Sequence, residues 1–428
     1  MADRPRVLLI LGTRPEAIKL FPVIRALRTE PRLEVLVATT GQHREMVDQI
    51  LGPFGIAPDH DLDIMRPDQS LNEIVCRVIP LLERLYTDVR PSIVLVQGDT
   101  TSAFSAGLAA FHRRILVGHV EAGLRSFNRF HPYPEEANRR MLSTVADLHL
   151  AATAFGAGNL VREGVPREAI VITGNTVIDS LLETLERPEL LEAHRVPGVA
   201  LRDGEPLVLI TLHRRESWLA ATAAGTAPTA GAGGGAAASS PFEGVLQAIA
   251  TAAREFPLAR FVYPVHRNPN VQGPARRLLG GLPNVHLLDP LPYIPFVGLL
   301  ARARVILTDS GGIQEEAPTL GVPVLVARET TERPEGVGCG SNMLVGTRPE
   351  VVLEHLRRHL ERSTERPGAP PCPNPFGDGR ASARIRQAVL HAFGLGERPG
   401  EFRAAADTLA AHTSGSRPGD AAARGGHS

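Results

Sequence analysis

The chain has 428 residues, with 46 basic and 46 acidic side chains, 43% hydrophobic residues and 21% charged ones. That length exceeds one ordinary core and suits two folded domains, and the composition is globular rather than disordered. Zero net charge leaves no overall field to draw in nucleic acid or an anionic membrane surface, so neither is expected as a partner.

Short apolar runs alternate with helical patterns along most of the chain. Strands are predicted at residues 7–11, 34–39, 93–97, 115–117, 148–151 and 170–173. A second series follows at 207–211, 260–264, 285–288, 305–308 and 324–327. Runs that are apolar on both faces and separated by amphipathic helices read as parallel sheets covered by helices. The fold class is therefore α/β, with two Rossmann-like doubly wound domains facing across a cleft. Residues 183–201 hold the expected boundary, giving a first domain over 1–185 and a second over 186–380. A final helix is expected from Ala381 within 381–398. Residues 219–240, almost all Ala, Gly, Thr and Ser, read as a disordered insertion, and 399–428 as a disordered tail.

The three cysteines, Cys76, Cys339 and Cys372, form no C-x-x-C pair, so neither a disulfide framework nor structural zinc is expected. The basic start MADRPR precedes an apolar run too short for a signal peptide, and no segment has the length to span a bilayer. Together these features point to the cytoplasm.

Nearly every strand ends in a glycine or charged cluster. The first series gives GTRPEAIK, GQHRE, GDTTS, HVEAGLRS and GNT, and the second HRRES, HRNPN, DPLPY, DSGGIQEE and ETTERPE. Parallel sheets bind ligands at this carboxyl edge. Turn chemistry alone accounts for the glycines, but not for so many Arg, His and Glu at one edge.

In Gly12-Thr13-Arg14-Pro15-Glu16, Thr13 and Glu16 have capping-box spacing, and Arg14 and Lys19 fall near the helix start, where they suit a phosphate or an acidic side chain. No G-x-G-x-x-G is present, so no dinucleotide cofactor is indicated. Asp309-Ser310-Gly311-Gly312-Ile313-Gln314-Glu315-Glu316 follows a strand and opens a helix. Its free N–H groups, with Ser310, Gly311 and Gly312, suit a diphosphate; Glu316 suits the hydroxyls of a ribose, and Arg333 can reach the same phosphates. Asp99, Glu121 and Glu135 end strands or start helices in the first half. Clustered carboxylates push one another's proton affinities apart, which suits acid/base work, and His213 suits proton transfer or phosphate binding. Each of these carboxylates fits equally a structural ion pair with Arg125, Arg129 or Arg139. No H-E-x-x-H or Asp-rich triad suggests a metal site, and none is expected.

Taken in order from Val7 to Phe393, the motifs GTRPEAIK, TTGQHREM, GDTTS, GHVEAGLRS, PEEANRR, ITGNTVIDSLL, HRRES, YPVHRNPNV, LTDSGGIQEEAP and TTERPEGV resemble the bacterial non-hydrolysing UDP-N-acetylglucosamine 2-epimerases. The resemblance implies a glycosyltransferase-B-type fold, a homodimer, and UDP held mainly by the second domain. It implies reversible conversion of UDP-N-acetylglucosamine to UDP-N-acetylmannosamine without metal or nicotinamide, feeding cell-surface polysaccharide synthesis. Arg14, Lys19, Asp99, Glu121 and His213 match positions at the substrate. Phe296, Ser310, Gly311, Gly312, Glu316 and Arg333 match positions around uridine and diphosphate. Asp99, Glu121, Glu135 and His213 match the catalytic set, while Gln42, His43, Arg214 and His266 match positions near a second site at which substrate activates family members. The sequence departs from the family at the insertion after Trp218, at Leu291, where relatives can carry a polar residue near the uracil, and at Leu212. A related UDP-acetamido sugar, a hydrolysing epimerase, a glycosyltransferase on the same fold and a non-catalytic sensor are the competing readings.

Overall fold

A computed structural model describes residues 4–41, 44–66, 69–194, 196, 198–199, 201–202, 204–213, 240–361 and 373–404. The first half is a seven-stranded parallel sheet built from β1 (Arg6–Leu11), β2 (Glu34–Thr39), β3 (His60–Asp61), β4 (Ile93–Gln97), β5 (Leu116–Ala122), β6 (Leu148–Ala151) and β7 (Ile170–Ile172), in the order β3-β2-β1-β4-β5-β6-β7. The second half is a six-stranded parallel sheet of β8 (Leu207–Thr211), β9 (Arg260–Pro264), β10 (Val285–Leu288), β11 (Val305–Thr308), β12 (Val324–Val326) and β13 (Asn342–Leu344), in the order β10-β9-β8-β11-β12-β13. The two halves thus repeat one doubly wound plan. Central strands such as Ile93–Gln97 and Val305–Thr308 are buried throughout, which is why they read as unbroken apolar runs. In each sheet the strand order reverses beside the first strand, between β1 and β4 and between β8 and β11. At such a switch point the connecting helices diverge to opposite faces and leave a crevice at the strand ends.

Two edge strands, β3 and β13, escape the sequence reading because two or three residues carry no periodicity. β5 runs on beyond residue 117 to Ala122, carrying Glu121 inside the sheet. The chain does not stop folding at Pro399: Phe402 is buried, and its N–H donates to the Ile172 carbonyl at 2.8 Å. Residues 405–428 and 219–239 lie outside the described residues; Ser240 caps the helix Pro241–Glu255 through Glu243 N–H. Cys76 is free, whereas Cys339 is disulfide-bonded, which corrects the expectation drawn from cysteine spacing. Pairing depends on how close two Cβ atoms come in space, and spacing along the chain does not report that. Among the described residues no helix is long and apolar enough to cross a membrane.

The halves share one core. Leu9 and Phe21 of the first, Leu209, Val297 and Ile306 of the second, and Ile385 of the final helix belong to one buried apolar cluster. The helix Ala381–Ala392 returns to the first half, where Asp179 caps it: its carboxylate accepts the N–H groups of Ala381 (3.1 Å) and Ser382 (2.8 Å) and the Ser382 hydroxyl. Asp179 is buried on the helix Thr176–Leu185. Asp179→Ala would strand these donors out of water. It is expected to cost about 1–3 kcal/mol, seen as a lower midpoint of urea unfolding; an unchanged midpoint would show that solvent replaces the cap.

Candidate active site

The exit of β1 is shaped by a capping box. Glu16 Oε2 accepts the N–H groups of Gly12 (2.6 Å) and Thr13 (2.8 Å), and Glu16 Oε1 accepts the Thr100 hydroxyl at 2.5 Å. This buried carboxylate therefore ties the ends of β1 and β4 together at the switch point. Arg14 extends across the cleft and donates to the Leu291 carbonyl at 3.3 Å, so the departure at Leu291 meets Arg14 through backbone. One turn further along the helix Arg14–Arg28, the Lys19 ammonium lies 2.5 Å from Glu121 Oε1.

Glu121 sits on a bulge. β5 pairs with β6 through Val120 and Ala122, and the register slips between them, leaving Glu121 unpaired at φ 65°. A non-glycine residue adopts that conformation only when its surroundings enforce it, and a bulge re-aims the side chain it carries. Here Glu121 Oε1 accepts Lys19 and the Asn175 amide (3.0 Å), and Oε2 accepts the Gln97 amide (2.5 Å). Burial alone would raise its proton affinity. The Lys19 ammonium and its hydrogen bond, with Arg333 and Asn175, outweigh that and hold Glu121 below the usual carboxylate range.

Asp99 follows Gly98 at the end of β4. Its Oδ2 accepts Arg139 at 2.5 Å, and its carbonyl accepts the Asn138 amide at 3.0 Å. Behind it, buried His119 donates from Nε2 to the Gly98 carbonyl, 2.8 Å away, and burial with the neighbouring His149 pushes its pKa down to about 3. Glu135 opens the helix Glu135–Val145, and its Oε2 is buried with no hydrogen-bond partner among the described residues. Asp99, Glu121 and Glu135 all line one cleft of about 1290 Å³, together with Arg14, Lys19 and Arg333. The convergence that spacing could not show is therefore present. Of the three candidate structural partners, Arg139 does pair with Asp99, while Arg125 pairs with Glu163 instead.

In the second half, His213 follows β8, and its Nδ1 lies 3.1 Å from Asp309 Oδ1; its backbone N–H donates to Asp309 Oδ2 at 2.9 Å. Asp309, buried at the end of β11, thus orients the ring across the second switch point. The ring stacks on His266, with centroids 6.0 Å apart, and His266 lies on the cleft wall. Arg333 also lies on that wall. Its guanidinium packs so close to Gly311 that a Cβ there would stand 2.3 Å from Nη1, so any side chain at 311 would push the guanidinium out of this position. Arg333 Nε donates to Glu315 Oε1 at 2.6 Å and Nη1 to Glu332 at 2.7 Å.

Ser310, Gly311, Gly312, Glu316, Phe296 and His213 are not among the described residues that line the cleft. Ser310 stands at the start of the short helix Gly311–Glu316 without a side-chain cap. Glu316 is buried and accepts the Tyr293 hydroxyl at 3.4 Å; burial, then the Glu315 charge, pushes its pKa up to about 8. Gln42, His43 and Arg214 lie outside the described residues. Sequence reasoning did not single out Gln97, Asn175, Asp309 or Glu315. Each lies in a strand or a strand-end motif, but spacing cannot show which members of a motif turn inward.

The sequence family model described as UDP-N-acetylglucosamine 2-epimerase matches residues 25–227 and 236–390. The chain belongs to that family. The UDP-N-acetylglucosamine 2-epimerase of Yersinia pestis is 46% identical over 389 residues, covering 90% of this chain and 98% of that relative. The Escherichia coli K12 protein of the same name is 45% identical over 388 residues, with the same coverage of each chain. Among solved structures, UDP-GlcNAc 2-epimerase from Neisseria meningitidis bound to UDP-GlcNAc is 42% identical, with a TM-score of 0.78 over 90% of this chain and all of that one. As a member of the 2-epimerase family the chain is an enzyme, an isomerase. The glycosyltransferase and sensor readings therefore fall away.

Glu316 makes the stability of this epimerase depend on pH. Between about pH 4.5 and 8 the folded state keeps a proton on Glu316 that the unfolded chain has lost, so rising pH through that window lowers stability. Glu316→Gln stays neutral throughout. Its unfolding free energy should lack this downward slope, which amounts to on the order of 3–5 kcal/mol across the window. Parallel slopes for variant and wild type in urea unfolding would refute the assignment.

Proposed function

We propose that this epimerase interconverts UDP-N-acetylglucosamine and UDP-N-acetylmannosamine without hydrolysis, in the cleft between its halves. One observation carries the reading: three carboxylates, Asp99, Glu121 and Glu135, line the same cleft as the cations Arg14, Lys19 and Arg333. The family, with its members named for this substrate, supplies the substrate class.

The C2 proton of an acetamido sugar is too weakly acidic to be removed directly at useful speed. Breaking the anomeric C–O bond first changes that. As UDP departs with the bonding pair, C1 gains oxocarbenium character and the C2–H bond becomes labile. The C2–H electrons then form a C1=C2 double bond, giving 2-acetamidoglucal, UDP and a proton on an enzyme base. Re-addition of UDP at C1, with a proton delivered to the opposite face of C2, yields the epimer. Nothing is oxidised or reduced.

The residues divide this work by chemistry. Arg333 and Arg14 are cleft-wall cations for the charge that grows on the departing diphosphate, with His213, held by Asp309, stacked behind His266 of the same wall. Glu121, kept ionised by Lys19, takes the C2 proton. The acid that returns a proton comes from Asp99, oriented by Arg139, or Glu135, whose Oε2 is unengaged. A dimer, supply of cell-surface polysaccharide precursors and activation by a second UDP-sugar beside His266 are carried over from the family resemblance.

The test is incubation with UDP-N-acetylglucosamine in D₂O without added metal, followed at C1 and C2 by NMR. Both UDP-sugars should accumulate with deuterium at C2 and traces of glycal. Free N-acetylmannosamine and UDP as the only products would replace this reading with a hydrolysing one, and an unchanged substrate would point to another UDP-acetamido sugar. Separately, Asp99→Asn and Glu121→Gln should each lower kcat by about 10²-fold or more. Near-normal turnover in either variant would remove that residue from the acid/base set.

A further inference from the structure

Glu121 presents a difficulty as a base. A carboxylate held down by an ammonium at 2.5 Å is poorly matched to a weakly acidic C–H bond, because proton transfer is most efficient when the two affinities approach each other. Something must raise its affinity when substrate is present.

Glu315 stands where it can do this. Asn175 caps the helix Thr176–Leu185, its Oδ1 accepting the Val177 N–H at 3.1 Å, which leaves its amide nitrogen free to donate elsewhere. That nitrogen has two hydrogens. One meets Glu121 Oε1 at 3.0 Å and the other Glu315 Oε2 at 2.9 Å. A carboxylate from each half therefore shares one amide. The remaining oxygen of Glu315 accepts Arg333 Nε at 2.6 Å, and Arg333 is a cleft-wall cation. The other titratable groups facing the pair are Lys19, which feels both carboxylates, Glu316 beside Glu315, and His119 near Glu121, which burial keeps neutral above about pH 3. With the cleft empty, Lys19 pairs with Glu121 and Arg333 with Glu315, and Glu332 also faces Arg333.

We propose that Glu315 is a positioning residue for the proton chemistry at Glu121: it yields Arg333 to the diphosphate of a bound nucleotide, leaving Glu121 beside an unneutralised carboxylate while the leaving group is in place. This rests on the UDP-sugar reading above. Once Arg333 turns to the diphosphate, two negative charges joined by one amide share only Lys19. The pair then holds a proton more tightly, and the C2 proton has a stronger acceptor. With the cleft empty, Arg333 returns to Glu315 and the base weakens again.

Glu315→Gln keeps the hydrogen-bonding shape and removes the charge. It should bind UDP as tightly as wild type or more tightly, since Arg333 is freed. Its kcat should fall about tenfold, with the acid limb of the kcat–pH profile moved about one unit lower. Glu315→Asp keeps the charge and should return the limb to its wild-type position. An unmoved limb in Glu315→Gln with intact UDP binding would overturn the proposal and leave the epimerase reading standing, as would an identical shift in both variants. A measurement on wild type alone covers the case in which the variants do not fold. UDP binding followed by calorimetry at about pH 7.5, in buffers of different ionisation enthalpy, should show net proton uptake by the protein; no uptake overturns the proposal. Failure of wild type to bind UDP at all would instead sink the nucleotide-sugar reading.

Discussion

The structure turns on a buried cluster of opposed charges at the seam of its halves. Glu121 and Lys19 come from the first half, Glu315 and Arg333 from the second, and Asn175 joins the two carboxylates. Removing one ion from water costs several kcal/mol, and low-dielectric surroundings repay that only when each charge is paired and its lone pairs are filled. Lys19 pairs with Glu121 within the first half and Arg333 with Glu315 within the second, where Glu332 also draws on Arg333. The halves are joined here by the hydrogen bond from Asn175 to Glu315, as well as by the apolar core that runs from Leu9 through Leu209 to Ile385. A ligand that draws one cation away disturbs every other member.

The backbone is arranged to serve this cluster. Glu121 is delivered by a bulge at positive φ in a strand otherwise buried and regularly paired, so its orientation is set by the sheet rather than by a flexible loop. Regular pairing at residue 121 would send the side chain to the other register position and away from Lys19. On the second half, the absent side chain of Gly311 leaves room for the Arg333 guanidinium that pairs with Glu315. Strain at one position and a missing Cβ at another thus fix the two ends of the same chain of contacts.

Most of the fold was legible in the sequence because fully buried parallel strands read as continuous apolar runs, and the central strands of both sheets lie where those runs place them. The short edge strands Asn342–Leu344 and His60–Asp61 were not legible, since tertiary pairing defines them and no local pattern does. At the site, Asp99, Glu121 and Glu135 were chosen because carboxylates at strand ends are chemically suggestive, and the cleft does gather them. The pair Glu315-Glu316 shows where such reading runs out. Adjacent helical residues point about 100° apart, and the sequence does not say which one faces Arg333. The ribose argument favoured Glu316, whereas the structure buries it against Tyr293 and gives the ion pair to Glu315. Asn175 was hidden for a similar reason: a helix cap explains it completely until its second amide contacts are seen in space.

The elimination proposed above would pass through a free glycal, and such a reaction demands a cleft that excludes water while it proceeds and opens afterwards. The contacts between the halves are divided along that line. The side chains of Glu121 and Glu315 and the apolar core are buried. Arg14 reaches the Leu291 carbonyl and the Thr153 hydroxyl reaches Glu335 at 2.9 Å, both single polar contacts that water can replace at little cost. Were Glu121 and Glu315 to hydrate at each turnover, the cations around them would lose most of their influence, because the same charges interact several times more weakly in water than at the effective dielectric of a protein site. A buried charge cluster beside replaceable polar contacts is what the proposed reaction would need for one cleft both to admit a nucleotide sugar and to hold its proton chemistry dry.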